Sequence, residues 1–114
     1  IRLMLGDTYL ALGRDADACD QARQVLQQEP DQRPALRLLA RALAVAGQAG
    51  EALDVAQRAA ALDPQDLRSL ELVAGLAWRA GDAALAAQTA RVLQGLDPDN
   101  AIAAGILTPA RLSE

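Results

Sequence analysis

The chain of 114 residues contains no histidine, no lysine and no phenylalanine, and it has a single cysteine. Each absence removes a class of chemistry. Without histidine there is no imidazole base and no His-containing zinc site. Without lysine there is no Schiff-base enzyme and no phosphate-binding loop of the Walker type. A lone Cys19 allows neither an intrachain disulfide nor a cysteine-pair metal site. Tyr9 and Trp78 are the only aromatic residues. The formal net charge is −4, the wrong sign for a small nucleic-acid binder. No apolar run approaches the roughly 18 residues that span a bilayer, so no direct membrane insertion is expected.

What the chain has instead is alanine and leucine, 27 and 20 of its 114 residues. Both lose little freedom in a helix, and β-branched residues are few, so the composition is that of an all-α protein. At 52% hydrophobic residues the chain can close one small domain. It begins at Ile1 and not at methionine, which reads as a piece of a longer protein. The compartment, cytoplasmic or periplasmic, stays open. An Ala-, Leu- and Arg-rich, lysine-free composition reads as that of a high-GC bacterium.

A period of 34 residues runs through the chain. Pro30, Pro64 and Pro98 are spaced by it, as are Gly13, Gly47 and Gly81, and Ala18, Ala52 and Ala86. Glu29, Asp63 and Asp97 precede the prolines in the same register. Each unit reads as two amphipathic helices. The glycine sits in the turn between them, where positive φ is needed. The proline ends the second helix. Asp31, Asp66, Asp99 and Asn100 are placed to accept from free N–H groups at the next helix start. The pattern predicts helices over 1–12, 16–28, 33–46, 50–62, 67–80, 84–95 and a short 100–107.

Small residues at Gly6, Ala40 and Ala74, and at Ala18, Ala52 and Ala86, predict close approach of paired helices. Large residues are expected around that seam: Leu5, Leu39, Val73, Leu26, Leu53, Leu62, Leu93 and Leu96.

At these columns the chain resembles the tetratricopeptide-repeat family. The residues that carry the resemblance in the first unit are Leu5, Gly6, Tyr9, Gly13, Ala18 and Pro30. In the second they are Leu36, Leu39, Ala40, Gly47, Ala52, Ala59 and Pro64, and in the third Leu70, Ala74, Gly81, Asp82, Ala86 and Pro98. The family's late aromatic column departs, reading Ala22, Ala56 and Ala90. The resemblance implies a right-handed α-solenoid of antiparallel helix pairs with a short C-terminal capping helix. The repeats fall at about 1–32, 33–66 and 67–100, the partial cap at 101–107, and 108–114 reads as a mobile tail.

The resemblance also implies that the first helices line a concave groove that holds a peptide or helix of another protein. Carried over by column, the groove residues are Leu3, Asp7 and Leu10, then Arg37, Arg41 and Ala44, then Arg68, Glu71, Gly75, Trp78 and Arg79. Arg37 and Arg41 share one helix face. Four arginines against Glu71 make the groove of units two and three basic in an acidic chain. Arginine forks favour carboxylates, so the expected partner is an acidic segment or a C-terminal carboxylate with an apolar anchor. The same arginines also fit a solvated helix face, since a lysine-free chain has arginine at every basic position. Trp78 fits either a stacking contact in the groove or a wedge between first helices. The Lys/Asn carboxylate clamp of some family members is absent, its columns reading Asp7, Leu38 and Leu72.

No catalytic residue, cofactor or metal is expected. Asp15, Asp17 and Asp20 favour the start of a helix and are not followed by the rest of a calcium loop. Cys19 reads as a buried structural thiol beside the Ala18 seam. An alternative role is self-assembly through the front end, where Ile1, Leu3, Leu5 and Leu12 form the candidate surface.

Overall fold

The computed structural model describes the backbone of residues 2–107 and the side chains from Met4 to Leu107. Seven α-helices and no strand occur among the described residues. They are α1 (Arg2–Ala11), α2 (Asp15–Gln28), α3 (Arg33–Val45), α4 (Ala49–Leu62), α5 (Leu67–Arg79), α6 (Ala83–Leu96) and α7 (Ala101–Leu107). Every helix bound described falls within one residue of the expectation. The expected tail at 108–114 lies outside the described residues, as does Ile1.

The turns explain this regularity. Gly13, Gly47 and Gly81 have φ of +79°, +86° and +81°, the left-handed region that a Cβ disfavours. Each allows the residue after it to close a six-residue loop. Arg14 N donates to Tyr9 O at 2.8 Å, and Gln48 N to Leu43 O and Asp82 N to Ala77 O at 2.9 Å each. This closure satisfies carbonyls left free at the helix end and reverses the chain within three residues.

The second turn type is built on proline. Glu29 O accepts from Gln32 N at 3.1 Å, and Asp63 O and Asp97 O accept from Asp66 N and Asn100 N at 3.0 Å. The proline stands second in each four-residue turn, where its locked φ already fits. Of the acceptors proposed for the next helix start, Asn100 fits: its Oδ1 takes the Ala103 N–H at 2.9 Å. Asp66 mainly holds side chains, with the Arg68 backbone N–H as a lesser partner at the start of α5.

Each helix packs on the next in the chain, and α1, α3, α5 and α7 also touch in sequence to form one layer. The molecule is elongated, 45 × 26 × 21 Å, as a stack of hairpins must be. Ala18, Ala40, Ala52, Ala74 and Ala86 have no solvent exposure, as the small-residue seam requires. So do Ala22, Ala56 and Ala90, where the family often has a ring. The core there is closed by methyl groups.

The ring of large residues expected around the seam is incomplete. Leu39, Val73 and Leu93 are buried, and Leu26 and Leu53 pack against the core from its edge. Leu5, Leu62 and Leu96 are exposed by 40–44%. The reason for the last two is their column, whose first-unit member is Gln28: it faces water.

Candidate functional site

Among the described residues the layer of first helices opens into three adjoining recesses. The largest, about 330 Å³, is lined by Leu10 of α1, by Arg41, Ala44 and Val45 of α3, and by Glu71, Leu72, Gly75, Leu76 and Arg79 of α5. A second, about 280 Å³, is bounded by Arg37, Arg41, Arg68, Glu71, Leu72 and Ile102. A third, about 150 Å³, holds Asp7, Pro34, Arg37, Leu38, Arg41 and Arg68. Shared walls make them one groove with an apolar floor and a charged rim.

Seven of the eight residues proposed from sequence line this groove: Asp7, Leu10, Arg37, Arg41, Arg68, Glu71 and Arg79. Trp78 lines none of the three. It is 48% exposed near the end of α5, so it is not a wedge in the core. Leu3 lies outside the described side chains. Residues that column reading overlooked are Leu72 and Leu76 of the floor, and Ile102 and Pro34 at the ends.

The charges differ in availability. Arg37 Nη1 donates to Asp66 Oδ2 at 2.7 Å, with the two side chains only 17% and 13% exposed. Asp66 Oδ2 also accepts from Ser69 Oγ at 2.8 Å and from Arg33 Nη1 at 3.4 Å. Partial burial works against the Asp66 charge. The Ser69 hydroxyl and the Arg37 and Arg33 guanidinia outweigh it and hold the carboxyl below its usual range. Glu71 Oε2 accepts from Asn100 Nδ2 at 2.9 Å. Arg41 Nη2 donates to Asp7 Oδ1 at 2.6 Å, but this pair is open to solvent and readily exchanged. The guanidinium groups of Arg68 and Arg79 have no hydrogen bond or ion pair among the described residues.

The groove therefore has two free guanidinium groups, one displaceable one, and an aliphatic floor. It is suited to binding carboxylates beside an apolar group. Elsewhere, no group of three or more His, Cys, Asp or Glu that could hold a metal occurs among the described residues. No helix there is long and apolar enough to cross a membrane.

A family model described as tetratricopeptide repeat matches residues 1–42. No curated protein matches the chain. Solved structures do. The first TPR domain of human RPAP3 has a TM-score of 0.88 at 16% identity, covering 98% of this chain and 88% of that one. The first TPR of Spaghetti (RPAP3) bound to HSP90 peptide SRMEEVD gives 0.89 at 16%, with 98% and 89% covered. The Yersinia enterocolitica type III secretion chaperone SycD, in complex with a peptide of the translocator YopD, gives 0.86 at 16%, with 98% and 91% covered. The chain has the tetratricopeptide-repeat fold, and its first 42 residues match the family model. At such identities the structural likeness establishes the fold alone.

In this chain the columns that correspond to the clamp hold no clamp. Leu38 is buried and Leu72 forms part of the groove floor. Any carboxylate grip falls to the arginines, which stand at other positions.

Proposed function

We propose that the chain is a protein-interaction module whose groove binds an acidic segment, or a C-terminal carboxylate with an apolar neighbour, from a partner protein. The observation that carries this reading is the pairing of an aliphatic floor with the free guanidinium groups of Arg68 and Arg79. The peptides bound in the RPAP3 and SycD structures support it by analogy of fold. The Ala-, Leu- and Arg-rich, lysine-free composition supports a bacterial setting.

Fluorescence anisotropy with acidic and basic peptides of equal length is the test. The acidic set should bind and weaken as salt rises. Equal binding of the basic set, or none by either, overturns the reading.

A second reading, self-assembly, has its own support. Leu38 and Leu39 of α3 are 3% and 7% exposed behind the preceding helix pair. Their first-unit counterparts Met4 and Leu5 are 74% and 40% exposed. That edge fits another helix pair, such as the far end of a second copy. Light scattering across the micromolar range decides it: a constant monomer mass rules it out.

A further inference from the structure

Arg68 and Arg79 are the groove's two free arginines, and both stand on α5, eleven residues apart. Eleven residues are close to three whole turns, so the two share one stripe of the helix. At a rise of 1.5 Å per residue their backbones are about 16.5 Å apart. Leu72 and Gly75 fall on the same stripe between them.

Gly75 lies inside the helix, where glycine costs about 1 kcal/mol relative to alanine. Packing does not demand it: a Cβ built there meets nothing within 4 Å. Its column carries Asp7 and Arg41 in the other two units. Here the missing side chain leaves the floor of the 330 Å³ recess open.

In an extended peptide alternate side chains share a face, and each residue advances about 3.3 Å. Residues one, three and five therefore present one face over about 13 Å. Two arginines leaning inward by about 2 Å each reach the outer pair, well within an arginine's length. The middle residue then lies over Leu72 and Gly75.

We infer that the groove reads an extended segment of the pattern acid–x–aliphatic–x–acid. Its two carboxylates bind Arg68 and Arg79, and its aliphatic side chain enters the space left by Gly75. Gly75 is thus a specificity-determining residue. The inference rests on the groove reading above and adds spacing and an anchor to it.

The probe is a nine-residue peptide with Glu-Ser-Leu-Ser-Glu between Gly-Ser flanks, titrated by NMR against the labelled protein. Shifts should concentrate on α5. Replacing the glutamates by glutamine, the leucine by serine, or moving the glutamates to two positions apart should each weaken binding by about three- to tenfold. Arg68→Gln and Arg79→Gln should do the same. Gly75→Leu should weaken the leucine peptide about tenfold and leave the melting temperature no lower, since leucine is the better helix former. If acidic peptides of every spacing perturb the groove alike, or Gly75→Leu binds unchanged, the pattern is wrong while the groove stands. If no acidic peptide perturbs groove residues, both readings fail.

Discussion

Arg37 on α3 donates to Asp66 at 2.7 Å, 29 residues ahead, and one repeat later Glu71 on α5 accepts from Asn100 at 2.9 Å, again 29 residues ahead. The two contacts occupy the same pair of columns. Each ties the first helix of one unit to the residue that starts the first helix of the next. Only the polarity differs: in one the helix residue donates, in the other it accepts. In the first unit the corresponding positions are Leu3 and Gln32. A leucine cannot donate, and Gln32 Oε1 is a buried oxygen with no hydrogen-bond partner. Polar latches thus join the second unit to the third and the third to α7, and the third unit carries the free arginines of the groove.

Removing Arg37 should cost more stability than removing Arg41. Arg37→Ala leaves the half-buried Asp66 carboxylate without its closest cation, a loss of about 1–3 kcal/mol. Arg41 and Asp7 are 47% and 60% exposed, so Arg41→Ala should stay within about 0.5 kcal/mol of the parent. Urea unfolding of both variants at neutral pH measures the difference. Equal losses would mean that the latch has no structural weight.

The same latch should make stability depend on acid. The Asp66 carboxyl is depressed below its ordinary value of 3.8 in the folded state. Above that ordinary value the side chain is ionised whether folded or not, and its contribution is complete. As pH falls below it, the unfolded chain takes up a proton first, so stability declines. The contribution is gone once pH passes the lower folded value. Asp66→Asn should therefore flatten the stability curve in that acid window and leave its slope at neutral pH unchanged. Urea midpoints of both proteins across this range check the sign.

The helix ends were legible in sequence because backbone chemistry imposes them. Positive φ selects glycine at 13, 47 and 81, and the missing N–H places proline at 30, 64 and 98. The groove-facing columns came from the family resemblance; a 3.6-residue period says only which residues share a face, not which face is concave. Availability of charge was not legible. Whether Arg37 is free depends on Asp66, 29 residues ahead at the start of the next first helix, and reading down one column hides a contact between two columns. The 29-residue offset with complementary partners was the signal. Gln28 was likewise the signal that Leu62 and Leu96 face water. The exposure of Leu5 had no such mark: the described residues place no helix pair before α1, while Leu39 and Val73 have one.

Ala52→Leu should destabilise the chain by about 1–3 kcal/mol. Ala52 has no exposed surface and lies on the seam where α4 meets α3. Three extra carbons can enter only by separating the helices or driving side chains off their rotamers. The test is a urea series with circular dichroism: the midpoint should fall, with helicity in water retained. A neutral or stabilising result would mean that the seam has slack and that small residues are not what sets the helix spacing.

Cys19 should be nearly inert in the folded protein. It is 5% exposed on α2 within the main core. Burial pushes the thiol up against the lowering influence of Arg23, with Asp15, Asp20 and Glu51 adding to the rise. Both the small thiolate fraction and the poor access oppose alkylation. Iodoacetamide should therefore modify the native chain at least about tenfold more slowly than the urea-unfolded chain at the same pH. Because reaction requires opening of α2, the native rate should climb with urea well before the main transition if the first helix pair frays alone. It should track global unfolding if the pair is held by the rest of the stack. Arg37→Ala sharpens the comparison: its latch joins α3 to the turn before α5, so an α2 that opens locally reacts at an unchanged rate in this variant. A rate that rises with the loss of global stability shows that the chain unfolds as one unit.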